Sequence, residues 1–369
     1  MIPWIYPGQW QLELAMAYCA LLLPLVVGLP PLLAIMESVF VMTEREIWKQ
    51  MARFWGRLFG IALHLCTFGV ILLAAGYFLA DGAMTPMAMT VFGAMLLTLF
   101  AEIFLLRRYW QDWWHYSRLQ HLLATLFMAL LPNAAILAIA AMGGWTANAA
   151  SIVCDSSAPM PTGGVCSALL SPVSQLRFVH LTSACYLTAA TFLLSISAWY
   201  LLRNRTVRIA RRSLTVAASF GLAAALSLAV RGSTLDLEGS AFPLLMMWTF
   251  RAMIVLGMCL VALFAAAFYL ASRRRLQHRG FLRLAAWSLP LPWFCMALGW
   301  VATEIRGGRW NAAHVSGITA AQGQLTALIF GFVVLVTILV GATQMLHMVR
   351  GGPERLKLWP ADAGKSESY

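Results

Sequence analysis

Charge is scarce in this chain, and acidic charge is scarcer still. Asp, Glu, Lys and Arg make up 11% of the 369 residues, with 14 acidic side chains against 26 basic ones. A soluble fold of this size needs a more ionised surface, and the hydrophobic share of 61% with a mean hydropathy of +0.77 describes a polytopic helical membrane protein instead. No Walker loop, dinucleotide fingerprint, Cys-x-x-Cys-His attachment site or zinc-type cysteine spacing is present, so nucleotide, c-type haem and zinc chemistry lose their sequence basis. There is no soluble module, low-complexity tract or obvious repeat, and no Gly/Pro-broken helix pair of the kind that marks transporters. A cleavable signal peptide is not evident, because the first apolar run lacks a basic leader and continues too far. Targeting is expected from the first membrane helix.

The formal charge of +12 raises the question of a nucleic-acid partner, and its distribution answers for membrane topology. Basic residues gather at 45–57, 107–118, 203–212, 273–283 and from Arg350 onward, whereas Arg177, Arg231, Arg306 and Arg309 lie in or beside the intervening connections. By the positive-inside rule the basic set is cytoplasmic. At roughly 20 apolar residues per crossing, the sequence predicts nine transmembrane helices, near 12–42, 57–80, 86–106, 119–142, 173–202, 213–231, 243–272, 284–304 and 324–348. The fold class is then all-α, with the N-terminus outside and the C-terminus in the cytoplasm. Residues 1–350 form one membrane domain, and 351–369 form a polar cytoplasmic tail.

Few residues in such a chain can carry chemistry. His180 stands about two turns inside the apolar run that opens at Gln175-Leu-Arg-Phe-Val-His180, and a histidine there is costly unless something uses it. Haem iron is the most economical user, with Met253 at similar depth in the next-but-one helix as its partner. The plainer alternatives are a buried histidine bonded to a backbone carbonyl and one more core filler among 19 methionines. Arg251, in the same helix as Met253, needs an anion, which a haem propionate would supply. Glu304 heads Glu304-Ile-Arg-Gly-Gly-Arg-Trp310. There Arg306, Arg309 and Trp310 make either a carboxylate ligand site with propionate-binding arginines or an interfacial belt with a paired glutamate. Glu102 either carries protons inward or is neutralised by Arg107 or Arg108. His64 reads as packing and His314 as surface, while His115, His121 and His278 fall in basic loops and His347 at the inner end of the last helix. Five of the seven cysteines read as small core residues, and Cys154 and Cys166 share a polar loop where a disulfide is plausible.

These segments resemble subunit I of the cytochrome bd-type terminal oxidases. The likeness is carried by Leu32-Leu-Ala-Ile-Met-Glu-Ser-Val-Phe40, Phe54-Trp-Gly-Arg-Leu-Phe-Gly-Ile61, Gln175-Leu-Arg-Phe-Val-His180, Arg212-Ser-Leu-Thr-Val-Ala-Ala-Ser-Phe-Gly-Leu222, Phe250-Arg-Ala-Met253 and Pro290-Leu-Pro-Trp293. The resemblance implies a nine-helix haem subunit of the bacterial cytoplasmic (inner) membrane, paired with a smaller second membrane subunit. Such a subunit passes electrons from quinol to dioxygen and draws protons from the cytoplasm. By position, His180 and Met253 match the ligands of a low-spin haem b, Arg251 lies beside it, and Glu304 matches the ligand of a high-spin haem b. A haem d or a second haem b completes the set. Glu102 matches an acidic residue of the proton route, and Asn133 a polar residue of the fourth helix.

The departures are equally specific. The family's helix-1 histidine ligand is replaced in Tyr18-Cys19, so Cys19 is either a thiolate ligand or a core thiol. A second proton-route glutamate is Ala94, and the long quinol-binding connection has shrunk to Arg231-Gly-Ser-Thr-Leu-Asp-Leu-Glu-Gly-Ser240. The donor is therefore quinol or another reductant. A catalytically silent paralogue that partners a complete oxidase subunit is the alternative.

Overall fold

The computed structural model describes residues 7–79, 86–111, 117–154, 171–232, 244–307 and 320–353. Among them are ten helices and no strand: α1 (Pro7–Thr43), α2 (Glu46–Leu79), α3 (Pro86–Gln111), α4 (Arg118–Cys154), α5 (Pro172–Leu202), α6 (Val207–Gly232), α7 (Leu244–Ser272), α8 (Arg279–Trp287), α9 (Leu291–Gly307) and α10 (Ala320–Gly351). The lipid interior offers backbone groups no hydrogen bonds, so every span must close its own, and helices do so. Even Pro24, Pro30 and Pro31 in α1 and Pro132 in α4 are carried inside helices, where packed neighbours surround the interrupted ladder. Eight segments of the described residues are long and apolar enough to cross a membrane. Helix α3 stands where the third expected crossing falls and packs against α2 and α4.

One expected helix is broken. The run 284–304 was read as a single crossing, but α8 stops at Trp287 and α9 starts at Leu291, with Ser288 capping the first by its N–H to the Leu284 carbonyl at 3.0 Å. Pro290 explains the break, since it lacks an N–H and disfavours helical geometry in the residue before it. The short α8 buries Phe281, Leu282 and Ala285 and exposes Leu284 and Trp287, a one-sided pattern suited to an interface.

Helix α5 is the hub, in contact with α1, α4, α6, α8 and α9 and buried along most of its length. Lipid gives no hydrophobic drive between spans, so small residues that let backbones approach do much of the positioning. At Gly28 of α1, an added Cβ would lie 2.5 Å from the Ala189 Cβ and 2.6 Å from the Cys185 carbonyl oxygen of α5. Gly69 of α2 lies under the Tyr18 ring in the same way, and Gly221 of α6 under Phe264 of α7. Gly28→Val should therefore lower stability by about 1–3 kcal/mol through overpacking against main chain that cannot retreat. A reduced thermal midpoint in detergent checks it, and an unchanged midpoint would contradict the close approach.

At the Arg-rich end of the bundle, aromatic and polar groups close the core. Trp55 Nε1 donates to Ser213 Oγ at 3.0 Å, and Arg212 lies 5.4 Å from the Trp48 ring centroid. Helix α10 runs along α1 and α2 with little of its described length buried. Its last turn is held from the α5–α6 corner: Tyr200 donates its hydroxyl to the Val349 carbonyl at 2.6 Å, and Arg205 Nη1 donates to the Arg350 carbonyl at 2.8 Å.

Candidate functional site

The residues singled out from sequence fall into two groups at different depths. His180 sits eight residues into α5 and Met253 nine residues into α7, so both lie about two turns from the end of the bundle opposite the Arg-rich one. Their helices are not packed face to face along their length. Helix α6 packs against both, and α9 packs against α7 and reaches α5. His180 is exposed, so the expectation of a histidine buried in the core does not describe it. Met253 is half-buried, and its Sδ lies 3.6 Å from where a Cβ at Gly299 of α9 would stand. An imidazole and a thioether at matched depth fit the donor set of a low-spin haem iron. Arg251 is exposed, with its guanidinium 5.5 Å from the Trp248 ring centroid. Glu304 and Arg306 belong to α9, but their side chains, like Arg309, Trp310, His314, Cys154 and Cys166, lie outside the described residues.

Cys19 is a half-buried free thiol on α1. Its Sγ approaches Gly69 of α2, 3.2 Å from the position of an added Cβ, and the neighbouring Tyr18 donates its hydroxyl to the Leu65 carbonyl at 3.0 Å. The thiol thus faces another helix across a glycine, an arrangement that suits packing.

Deeper in the bundle, Glu102 of α3 is fully buried, and neither carboxyl oxygen has a hydrogen-bond partner among the described residues. Arg107 and Arg108, expected as its neutralising partners, are exposed, and among the described residues neither hydrogen-bonds to it. Glu102 borders a cavity of about 20 Å³ with Thr98, Cys66 and Pro132 among its walls, room for about one water. A carboxyl group buried without partners costs free energy and is kept where something is gained from it. Asn133 of α4 donates from Nδ2 to the Ala129 carbonyl at 2.7 Å and accepts from the Tyr186 hydroxyl at 3.1 Å, a bond that ties α4 to α5.

Two further expectations change. His64 is exposed on α2, its Nδ1 2.7 Å from the Gly60 carbonyl oxygen of its own helix, so it does not pack in the core. His121 was assigned to a basic loop. It lies inside α4 instead, 6% exposed, with Nδ1 on Oε1 of Glu37 of α1 and Nε2 3.1 Å from the Tyr109 carbonyl of α3. Thr125 donates its hydroxyl to Glu37 Oε2 at 2.6 Å. The sequence signal for this cluster was present but unused. Glu37 and Glu44 are seven residues apart, as are Arg118 and Thr125 with His121 between, so each set lines one helix face.

The family model for cytochrome bd terminal oxidase subunit I matches residues 8–240 and 235–353. The chain belongs to that family. Among relatives of the subunit I family, subunit 1 of the cytochrome bd-II ubiquinol oxidase of Escherichia coli is 35% identical over 224 residues, 58% of this chain and 43% of the relative. Subunit 1 of the Bacillus subtilis cytochrome bd ubiquinol oxidase is 25% identical over 225 residues, 58% of this chain and 46% of that protein. The chain spans about half the length of the curated relatives it matches. The bd oxidase structure from Geobacillus thermodenitrificans superposes with a TM-score of 0.77 at 17% identity, over 94% of this chain and 98% of the other, which shows a shared fold.

Proposed function

We propose that this chain is a haem-bearing subunit of a bd-type oxidase in a bacterial cytoplasmic membrane, crossing it nine times with the Arg-rich end in the cytoplasm. The single observation that carries the reading is the imidazole of His180 and the thioether of Met253 at matched depth on helices that share α6 and α9 as neighbours. These two residues would hold a low-spin haem b. Glu304, with Arg306, Arg309 and Trp310 beside it, would hold high-spin haem, as a second haem b with either a haem d or a further haem b. When bound, the haems supply the one-electron chemistry by which dioxygen is reduced. Arg251 would offer positive charge to a propionate, and Glu102 would hold and release protons from a buried position. A smaller second membrane subunit is the expected partner, and the lipid bilayer is the medium. The donor is quinol or, given the short connection after α6, another reductant.

A second reading is a catalytically silent paralogue that keeps the low-spin haem, or none, and acts as a structural or low-spin-haem partner subunit. The packing of Cys19 on Gly69 favours it, since the helix-1 position then provides no ligand. A reduced-minus-oxidised optical spectrum separates the two. An oxidase gives several haem bands with a response to carbon monoxide and consumes oxygen with a quinol or other donor; the paralogue gives one low-spin band indifferent to carbon monoxide. A colourless protein from haem-replete cells would defeat the oxidase reading and leave only a haem-free structural partner.

A further inference from the structure

We propose that Glu37, His121 and Thr125 form a buried proton relay on the Arg-rich side of Glu102. The proposal deepens the oxidase reading and rests on it for the destination of the proton.

The hydrogen-bond inventory is the starting point. Both ring nitrogens of His121 face acceptors: Nδ1 the Glu37 carboxyl group, Nε2 the Tyr109 carbonyl. A neutral imidazole has one N–H, so satisfying both contacts takes one more proton. That proton is held either on Nδ1, giving imidazolium beside carboxylate, or on Glu37 Oε1, which then donates to the ring. The hydroxyl of Thr125 supports either form by donating to Glu37 Oε2. A site whose two forms differ only by the position of a proton along one hydrogen bond can load and release it with little rearrangement.

Placement gives the relay a direction. Glu37, His121 and Thr125 are 1%, 6% and 0% exposed, whereas Ser117, Arg118 and Gln120, at most four residues before His121, are exposed. At the rim, Arg118 in the first turn of α4 pairs with Glu44, which lies just past the end of α1. Inward, the Tyr109 carbonyl that accepts from His121 belongs to α3, and Glu102 lies seven residues earlier on the same helix face, about 10 Å deeper. Charged and titratable groups of the described residues also stand near the cluster. Tyr109, its ring centroid 4.9 Å from that of His121, comes from α3, and Arg53 of α2 lies within electrostatic range of Tyr109, as does Glu37. Lys49 of α2 stands 6.0 Å from the Phe40 ring, near the end of α1.

The step is a proton transfer alone. The shared proton leaves the Glu37–His121 pair, crosses the gap on water, for about one molecule of which the cavity beside Glu102 has room, and binds a Glu102 oxygen, converting that carboxylate to the acid; a proton from the Arg-rich side restores the pair. No electron moves and no other bond breaks.

The alternative is a polar staple that holds α1 to α4 and moves no proton. The double variant Glu37→Gln/His121→Gln separates the two, since paired amides keep a hydrogen-bonded contact but carry no mobile proton. Haem-loaded protein purified from membranes is reduced and mixed with oxygen in weakly buffered solution containing a pH-indicating dye. The relay predicts proton uptake slowed at least about tenfold, with the haem spectrum unchanged. Wild-type uptake in the double variant overturns it. Infrared difference spectra across a pH step, with labelled histidine, give a readout that needs no oxygen chemistry. The unaltered protein should show a carboxyl and imidazole signal from the pair, shifted in Thr125→Val, and the absence of that signal overturns the relay even if the double variant does not accumulate. An unaltered protein that consumes no oxygen defeats the oxidase reading, and the infrared result then decides the relay alone.

Discussion

His180→Ala is expected to abolish the low-spin haem band of the purified protein and, with it, at least nine-tenths of the oxygen uptake. The size of the effect follows from ligand chemistry, because the imidazole nitrogen is the proposed donor to the iron and an alanine methyl group supplies none. The fold should survive. His180 is exposed, and substitutions at exposed positions outside special features usually change stability by less than about 0.5 kcal/mol. Met253→Leu should act differently: the haem stays, held by one ligand, and its spectrum moves from low-spin to high-spin. Optical spectra of both variants at equal protein concentration check this. A full low-spin spectrum in both would remove the donor pair from consideration.

Glu102 offers a second large effect, and one in which stability and activity move in opposite directions. Its carboxyl group is buried with neither oxygen hydrogen-bonded, a burden of about 1–3 kcal/mol on the folded state. Glu102→Gln keeps the shape but cannot exchange a proton as a carboxyl does, and Glu102→Leu removes the polar burden altogether. Both should cut turnover at least about tenfold, while the leucine variant unfolds at a higher temperature than the parent. A leucine variant with full turnover would show that the proton route lies elsewhere. One that is less stable would show that Glu102 is bonded to a group its packing does not display, such as a water in the adjoining cavity.

Much of the architecture was readable before any coordinate. Long apolar runs and clustered arginines located the helices, because the demand for internally satisfied backbone leaves lipid-facing chain few alternatives. The break at Ser288–Pro290 was less legible, since hydropathy averages over a window wider than one turn and Pro290 sits in an otherwise apolar stretch. The candidate site was legible where residue type alone is unusual, as with His180 and Glu102. It was not legible at His121. Surrounded in sequence by Arg107, Arg108, His115 and Arg118, that residue reads as one more loop cation, and only the pairing of α4 with α1 reveals that its partner is Glu37, some 84 positions away. Helical spacing could have raised the suspicion, because Glu37 interrupts an apolar face and Glu44 repeats it two turns on. Which helix would answer that acid is tertiary information.

The fastening of α10 carries a consequence for how the chain is built. Its described length is largely exposed, and two of its polar ties come from Tyr200 and Arg205, which reach into the final turn at Val349 and Arg350. During synthesis the bundle must therefore stand with this corner unfilled until the last span has fully emerged from the ribosome. A chain cut short before residue 349 would leave those two donors without these acceptors, a chemical mark by which a membrane quality-control protease could recognise truncated copies.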